Sequence, residues 1–287
     1  PISRTIGEIR YYLLKGSRPR EVYDRSLEQQ WSRILKEFKP DLVHIHGTEF
    51  APGLALLRSS PELKAVISIQ GLVGVCSRYY TGGSSRSEIL STITFRDIVK
   101  RDSILQGAKK FNSRGEKVEK TYLNTVTDVI GRTGWDYNHV ATINPNCRYH
   151  FCNESLRDPF YEAPPWSLAE KRDYSIFLSQ ALYPLKGLHK VLEAVRILKP
   201  SFPTVRIRVA GPDITGVRSW KDNLRLTGYG KLIKKRVKEY GLDEHITFTG
   251  PLDAAQMISE YRNAHVFICP SSIENSPNSL GEAQLLG

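Results

Sequence analysis

The chain has 287 residues, of which 40% are hydrophobic and 25% are charged, and its formal net charge is +11. This composition is typical of a globular protein and excludes a disordered one, and the length suffices for two domains with separate cores. The apolar runs are only of strand length, which excludes a membrane-spanning helix, and the sequence predicts a cytosolic protein with reduced cysteines because no CxxC pair is present.

The first part of the chain predicts alternating helices and strands. Apolar residues at helical spacing predict a helix over Glu21–Phe38, and Pro40 ends it. The next predicted elements are a strand over Asp41–His46, a helix through Leu54–Arg58, a strand over Ala65–Ile69, a loosely helical segment over Arg86–Thr125 and a strand over Asp128–Arg132. Prolines cluster around Phe160–Trp166, which predicts a linker there.

A second alternating series follows the predicted linker. Its strands are predicted over Tyr174–Leu178, Val205–Ala210, Ile246–Thr249 and Val266–Cys269, and its helices over His189–Leu198, Leu232–Tyr240, Met257–Arg262 and Leu280–Leu286. Strands separated by helices predict parallel sheets, so we expect an α/β protein with two Rossmann-like domains, residues 1–165 and 166–287.

Polar residues and glycines with chemical potential follow the predicted strands. Open α/β sheets bind ligands at the carboxyl ends of their strands. The residues placed there are His46, Gly47, Gln70, Gly71, Arg132, Gln180, Gly211, Gly250 and Glu274. A lysine-rich stretch, Lys231–Lys238, is interpreted instead as a solvated helix face.

The segment Ser272–Ala283 is the most informative part of the sequence. Ser276 is expected to cap a helix that has Pro277 at its first position, so that the amides of Asn278 and Ser279 point outward and attract phosphate. The acids Glu274 and Glu282 flank this turn and would repel a bare phosphate. The segment therefore indicates either a diphosphate ligand that also carries sugar hydroxyls, or an ordinary capped helix with two solvated acids.

Glu274 and Glu282, with seven residues between them, match the E-x7-E motif of the retaining glycosyltransferases of GT-B fold, family 4 type. These enzymes build bacterial surface polysaccharides and lipid-linked glycans. The resemblance implies that Glu274 lies by the donor sugar and that Glu282 binds the nucleotide ribose. It also implies that the amides of Asn278 and Ser279 hold the diphosphate.

Further segments carry the same resemblance. Lys186 and Gly187 are similar to the family's Lys-Gly segment, where the lysine neutralises the diphosphate leaving group as the glycosidic bond breaks. Phe248–Leu252 is similar to the loop that meets the nucleobase. The resemblance thus implies that Lys186 and Glu274 are catalytic and that the remaining candidates, Glu282, Asn278, Ser279, Gln180, Gly187, Gly211, Leu252 and Arg132, bind the donor.

The chain departs from the family pattern at two glutamines. Gln180 stands where the family usually has an arginine on the diphosphate, and an amide offers no charge, so Arg132 is a candidate to supply it. Gln70 stands where relatives often carry a histidine near the reacting carbon. His46, Gly47 and Gln70 are assigned to the acceptor side of the first domain.

The sequence also resembles a family member without its first strands and without its end. The family begins with a strand and a glycine-rich loop, and it continues beyond the residue that matches Glu282. We therefore expect both domains to be truncated, with lowered stability and with activity in doubt for this piece of the enzyme.

The expected function is transfer of a sugar from a nucleotide-diphosphate donor to a glycan or lipid-linked acceptor, with retention of the anomeric configuration. No cofactor is implied, and no metal, because no Asp-x-Asp accompanies the donor site. Cys147, His150 and Cys152 lie close in sequence, but zinc would need a fourth ligand. The expected location is the cytoplasm, with peripheral contact with an anionic membrane as an extension suggested by the positive charge.

Two other classes of function were weighed against this one. A non-catalytic protein that binds a sugar nucleotide or a polyanion on the same fold is the alternative, and the two glutamines favour it. A nucleic-acid partner is not expected, since charge is its only support and no aromatic residues alternate with the basic ones.

Overall fold

The structure is a computed structural model that describes residues 2–216, 222 and 224–287. The strands are β1 (Ile2–Ile6), β2 (Ile9–Leu13), β3 (Val43–His46), β4 (Ala65–Ser68), β5 (Asp128–Gly131), β6 (Arg148–Phe151), β7 (Ser175–Leu178), β8 (Arg206–Val209), β9 (Ile246–Phe248) and β10 (Val266–Phe267). The α-helices within the described residues are α1 (Ser26–Phe38), α2 (Pro52–Ser59), α3 (Val73–Cys76), α4 (Arg86–Ser91), α5 (Phe95–Lys100), α6 (Ile104–Arg114), α7 (Lys120–Thr125), α8 (Gly134–Ile143), α9 (Asp158–Glu162), α10 (Leu188–Leu198), α11 (Gly228–Glu239), α12 (Ala254–Asn263) and α13 (Asn278–Leu285).

The chain divides into two compact units, which we call the first and second units. The first consists of Pro1–Ser77 and Lys110–Glu154, and the second of Arg78–Lys109 and Ser155–Gly287. The division predicted between residues 165 and 166 differs from this one in two ways. The segment Arg78–Lys109 belongs to the second unit, and the second unit resumes at Ser155 rather than after the prolines.

The first unit is built on a parallel sheet with the strand order β3-β4-β5-β6. Successive side chains of a strand point to opposite faces, so alternate residues share one environment. Ile67 of β4 and Val129 of β5 are fully buried in a core with residues of α2, α7 and α8. The opposite face of these strands is polar and more accessible, and it carries Asp128, Arg148 and His150.

The second unit is built on a parallel sheet with the order β10-β7-β8-β9. β7 is buried on both faces, as is usual in a parallel sheet that helices cover on two sides. Ile176 and Leu178 pack into a core with residues of α10 and α11, while Phe177 packs into a second core with Tyr261 of α12. The predicted α/β class and the two parallel sheets are therefore confirmed.

The segment that was predicted as a linker is a structural part of the second unit. It overlaps α9, and Phe160 of this short helix is only 1% exposed. Phe160 belongs to the same core as Phe177, and its ring meets that of Tyr261 edge-on at 5.9 Å between centroids. The prolines around this segment set its turns, so proline content here marked an ordered connection and not a domain boundary.

The segment Arg78–Lys109 is fastened to the second unit by hydrogen bonds and ion pairs with α10 and α11. Arg236 of α11 is 7% exposed, and its Nη2 donates to Glu88 at 2.5 Å and its Nη1 to the carbonyl of His189 at 3.2 Å. Arg236 also pairs with Glu193. The Nε2 atom of His189 lies 2.8 Å from the carbonyl oxygen of Gly82.

The interpretation of the lysine-rich stretch as a solvated helix face is therefore wrong for Arg236, which is buried. Lys231 is exposed, although its Nζ donates to the carbonyls of Ser91 and Ile93 at 3.2 and 3.3 Å. Lys234, Lys235 and Lys238 of the same helix are exposed. The helical period explains the difference, because residues on one side of α11 face the rest of the unit and the others face solvent.

Within the part of the chain that the structure describes, no helix combines the length and the apolar character that crossing a membrane requires.

Candidate functional site

The second unit has a position where the strand order reverses. The chain passes from β7 to β8 and β9 on one side of β7, and it then returns to place β10 on the other side. Ligands of open α/β sheets bind outside the carboxyl ends of the strands at such a position. The connection after β7 carries Lys186, and the connection after β10 carries Glu274.

The structure brings these two predicted catalytic residues together. Nζ of Lys186 lies 2.5 Å from Oε1 of Glu274, although the residues are 88 positions apart. The side chain of Lys186 is 11% exposed and that of Glu274 is 26% exposed. An ammonium has three donors, so Lys186 keeps two N–H groups for a ligand beyond the one given to Glu274.

Backbone contacts between the two connections hold this pair in place. The amide of Ser272 donates to the carbonyl of Leu185 at 2.8 Å. Gly187 has a φ of +74°, and a Cβ atom there would lie 2.1 Å from the carbonyl oxygen of Pro270. Only glycine allows this conformation and this approach of two backbones, so Gly187 contributes by fixing the geometry beside Lys186.

The helix after Glu274 begins one residue later than the sequence predicted. The residue at its N-cap is Pro277, with φ −73° and ψ 117°, and Asn278 is the first helical residue. The prediction that Ser276 caps this helix is wrong, because extended backbone at Pro277 delays its start. The early amides of α13, those of Asn278 and Ser279, nonetheless stand at the positively polarised end of a helix.

Glu282, the second acid of the motif, lies inside α13 and is 5% exposed. Both of its oxygens accept from Arg157, at 2.7 Å from Nε and 2.9 Å from Nη2. The hydroxyl of Tyr261 lies 3.4 Å from the same carboxylate and donates at 2.9 Å to the carbonyl of Ser279. Glu282 is therefore a fixed carboxylate and not one of two solvated acids.

The other predicted donor residues of the second unit are arranged more openly. Gln180 is exposed, and its side chain has no hydrogen-bond partner among the described residues. Gly211 and Gly250 form an isolated antiparallel bridge with N–O distances of 2.9 and 3.1 Å, both with positive φ. Leu252 is half-buried beside the core that contains Phe160.

The remaining predicted donor residue, Arg132, belongs to the first unit. Its Nη1 lies 3.2 Å from Oε2 of Glu154, and Nε2 of Gln70 donates to the other oxygen of the same carboxylate. Gln70, Arg132 and Glu154 follow the carboxyl ends of β4, β5 and β6. Arg132 is thus paired with Glu154 within the first unit, and its assignment to the donor stays a prediction.

The two other acceptor-side candidates lie at the end of β3. The ring of His46 is exposed and lies 4.0 Å from that of His44, measured between centroids. Gly47 is buried with φ +81°, and its amide donates to the carbonyl of Ser68 at 2.9 Å. A side chain at Gly47 would collide with Glu49, so glycine lets the chain turn directly after the strand.

A buried acid near this turn makes the stability of the first unit depend on pH. Glu119 is 2% exposed, and burial raises its pKa from 4.5 to about 7. Because the folded state holds this proton more tightly than the unfolded state, stability falls as pH rises through this range. We expect the contribution of Glu119 to the free energy of unfolding to fall by roughly 3 kcal/mol between about pH 4.5 and pH 8.

Urea unfolding of the parent and of Glu119→Gln at a series of pH values checks this expectation. The amide imitates the protonated acid, so the stability of the variant should change less with pH. Glu116→Gln is the matched control, because Glu116 lies in the same π-helix, Gly115–Glu119, but is exposed and pairs only with Lys120. Parallel pH curves for all three proteins would contradict the expectation.

Sequence reasoning missed two residues that contact the predicted ones. Arg157, which binds Glu282, falls just before the stretch interpreted as a linker, and Glu154 follows β6, which was not predicted as a strand. One signal was available for Arg157, since it is a basic residue preceding an Asp-Pro helix start. No local pattern marks Glu154.

The comparisons with known proteins agree with the fold. The solved structure of a sucrose-phosphate synthase from Thermosynechococcus elongatus is similar to this chain at 16% identity and a TM-score of 0.61, covering 99% of this chain and 65% of that one. The pneumococcal O-GlcNAc transferase GtfA, solved with UDP and GlcNAc, is similar at 12% identity and a TM-score of 0.56, covering 88% and 42%. A variant of S. aureus TarM, solved with UDP, is similar at 10% identity and a TM-score of 0.51, covering 92% and 44%.

The chain thus spans between 42% and 65% of the length of these three structures. No curated protein sequence matches it significantly. Residues 162–287, which include Lys186, Glu274 and Glu282, match the family described as glycosyl transferases group 1. The part of the chain that matches this family lies in the second unit, and the three solved structures share the fold of the chain.

Proposed function

We propose that this protein transfers a sugar from a nucleotide-diphosphate donor to a glycan or lipid-linked acceptor, as a family 4 type enzyme that retains the anomeric configuration. The observation that carries the proposal is the ion pair of Lys186 with Glu274, 2.5 Å apart, where the strand order reverses. An ammonium and a carboxylate at that position suit a ligand with both phosphate and hydroxyl groups.

The leaving group of such a reaction is a nucleoside diphosphate, and its negative charge grows as the bond to the sugar breaks. Lys186 would donate to its oxygens, and the first amides of α13, those of Asn278 and Ser279, would add the positive end of the helix dipole. Glu274 would accept from the hydroxyls of the sugar, and Glu282 from those of the ribose. No metal has a role in this proposal.

Gln180 limits the positive charge at this site. Relatives usually have an arginine at the position of Gln180, whose amide is neutral, and Arg132 is paired with Glu154 in the first unit. Lys186 would therefore carry a larger share of phosphate stabilisation than it does in relatives with both cations. Leu252 and Gly211 would line the nucleobase end of the donor.

The first unit would recognise the acceptor in this proposal. Gln70 and Glu154 present an amide and a carboxylate at the carboxyl edge of the sheet, and His46 is exposed at the end of β3. Such groups form hydrogen bonds with hydroxyls, as an acceptor glycan requires. The net charge of +11 also suits an encounter with an acceptor at an anionic membrane surface, as in bacterial surface polysaccharide synthesis.

A donor screen with a catalytic readout tests the proposal. UDP-, GDP- and ADP-sugars are scanned by thermal shift, and release of nucleoside diphosphate is then followed with a candidate glycan or lipid-linked acceptor. Glu274→Gln should lower turnover at least tenfold, because it removes a charged acceptor for the sugar hydroxyls. Turnover of this variant within threefold of the parent would rule out the assigned role.

The same experiment distinguishes the second candidate, a sugar-nucleotide-binding protein without catalysis. The neutral Gln180 favours it, because weaker stabilisation of the leaving group affects catalysis more than binding. Saturable binding of a nucleotide sugar without any product, across a range of acceptors, would support this candidate instead.

A further inference from the structure

The carboxylate of Glu282 is fixed by an arginine that lies outside the matched family segment 162–287. Nε and Nη2 of Arg157 donate to its two oxygens at 2.7 and 2.9 Å, which is the bidentate geometry of a strong ion pair. The Glu282 side chain is 7% exposed and that of Arg157 is 43% exposed. The acid is thus almost removed from water and has a guanidinium as its main partner.

The position of Arg157 is itself determined by packing. Its guanidinium carbon lies 4.7 Å from the ring centroid of Phe160, which is 1% exposed in the core of the second unit. The preceding residue, Leu156, lies against α13, where a Cβ atom on Gly281 would meet its side chain at 3.1 Å. The segment before α9 therefore runs along α13 and presents Arg157 to Glu282.

The fixed carboxylate retains capacity to accept further hydrogen bonds. Two oxygens offer about four lone-pair sites, and Arg157 uses two of them. The hydroxyl of Tyr261 has one proton, and it donates this at 2.9 Å to the carbonyl of Ser279 rather than at 3.4 Å to Glu282. Among the described residues no other group donates to the Glu282 carboxylate, so hydroxyl groups of a ligand can still bind to it.

The location of Glu282 on α13 indicates which hydroxyls these are. Glu282 follows Asn278 by four residues, so both lie on one face of the helix, about 6 Å apart along its axis. A diphosphate at the start of α13 would place the sugar joined directly to it next to this carboxylate. In a nucleoside diphosphate that sugar is the ribose.

We propose that Arg157 is a positioning residue that holds the Glu282 carboxylate in the one orientation from which it accepts hydrogen bonds from the ribose hydroxyls. This inference rests on the proposed function, since it requires a nucleotide at the start of α13. Without the guanidinium, a nearly buried carboxylate has lost its main partner, and it turns towards water or towards another donor. The ribose hydroxyls then lose a fixed acceptor, while the phosphate contacts remain.

The test measures dissociation constants by calorimetry for UDP, GDP and ADP and for their 2′,3′-dideoxy counterparts. Four proteins are compared: the parent, Arg157→Gln, Arg157→Lys and the control Arg208→Gln. Arg208 is matched to Arg157, because it also forms a bidentate pair in the second unit, with Glu260 at 2.7 and 2.6 Å. The informative quantity is the ratio of the dideoxy to the ribose dissociation constant, which does not depend on the fraction of folded protein.

We expect the parent and Arg208→Gln to prefer the ribose form on the order of tenfold or more. In Arg157→Gln this preference should fall to about twofold, with the affinity for the dideoxy form unchanged. Arg157→Lys should give an intermediate ratio, because an ammonium keeps the charge but not the bidentate geometry. If Arg157→Gln does not fold, Arg157→Lys provides the same comparison.

Other outcomes overturn the inference in distinguishable ways. An equal loss of affinity for both forms would mean that Arg157 contacts the phosphates, and a gain for both would mean that it blocks the site. An unchanged ratio in Arg157→Gln would mean that Glu282 is positioned without it. If the parent binds none of the six nucleotides, the proposed function itself fails and this inference fails with it.

Discussion

Replacing Lys186 by methionine is expected to lower the rate of sugar transfer about 100- to 1,000-fold, which corresponds to a loss of about 2.7–4 kcal/mol of transition-state stabilisation. Methionine keeps a similar unbranched chain in this nearly buried position but carries no charge. In the proposed reaction the leaving diphosphate then lacks this ammonium, and Gln180 offers no charge to replace it. The effect should therefore be larger than in a relative with two cations.

The form of the kinetic loss distinguishes this role from simple binding. An interaction made mainly in the transition state lowers kcat and kcat/KM together, whereas one made equally with the bound donor raises KM alone. Release of nucleoside diphosphate from the donor identified by the binding screen measures both constants. Lys186→Arg is a useful companion, because it keeps the charge but changes the shape of the donor group.

Lys190→Met is the matched control for this experiment. Lys190 lies only four residues later, on α10, is exposed and pairs with Glu193 at 3.1 Å. Removing an exposed pair of this kind changes little, so activity should stay within about twofold of the parent. A similar loss in Lys190→Met and Lys186→Met would assign the effect to net charge, and no loss in Lys186→Met would remove Lys186 from the mechanism.

The sequence predicted much of the second unit because short strand-forming segments alternate with helical ones. β7 is buried throughout, β8 alternates arginines with the buried Ile207 and Val209, and the predicted bounds of β7, β8 and β9 lie within one residue of the observed ones. The carboxyl ends of these strands could then be located, and with them Glu274, whereas Lys186 was identified only by its resemblance to the family's Lys-Gly segment. The direct contact of Lys186 with Glu274 depends on the strand order, which periodicity does not specify.

Three elements of the first unit escaped prediction for different reasons. β6 carries Arg148 and His150 at the edge of the sheet, so it lacks the apolar run of a buried strand. The hairpin β1–β2 is almost wholly exposed and buries no face that a pattern could reveal. α8 does begin with a recognisable signal, since Thr133 and Asp136 form a capping box.

The predicted site was incomplete because partners of its residues come from distant parts of the chain. Arg157 and Glu282 are 125 positions apart, and Gln70 and Glu154 are 84 apart. A motif in the sequence identifies the acid but not the residue that neutralises it. The structure supplies these partners, which are Arg157 for Glu282 and Glu154 for Arg132.

The second large effect is expected on stability. Replacing Arg236 by methionine should lower the free energy of unfolding by about 3 kcal/mol, the lower end of the range for breaking a buried ion pair. The lower end applies because Glu88 and Glu193 are 24% and 34% exposed, so water partly solvates them when the guanidinium is removed. Urea unfolding measures the change, and Lys235→Met is the control, with an expected change within about 0.5 kcal/mol.

The loss of stability in Arg236→Met should be concentrated in the segment Arg78–Lys109, because Arg236 joins Glu88 of α4 to α10. Amide hydrogen exchange of α4 and α5 should accelerate more in Arg236→Met than exchange of β7 or β8, which lie in the core of the second unit. A double-mutant cycle with Glu88→Gln isolates the contribution of that single pair. If the two losses are additive and exchange is uniform across the unit, the segment is held by its apolar contacts. A clear coupling energy would show that the ion pair of Arg236 with Glu88, which are 148 positions apart, holds the segment to α11.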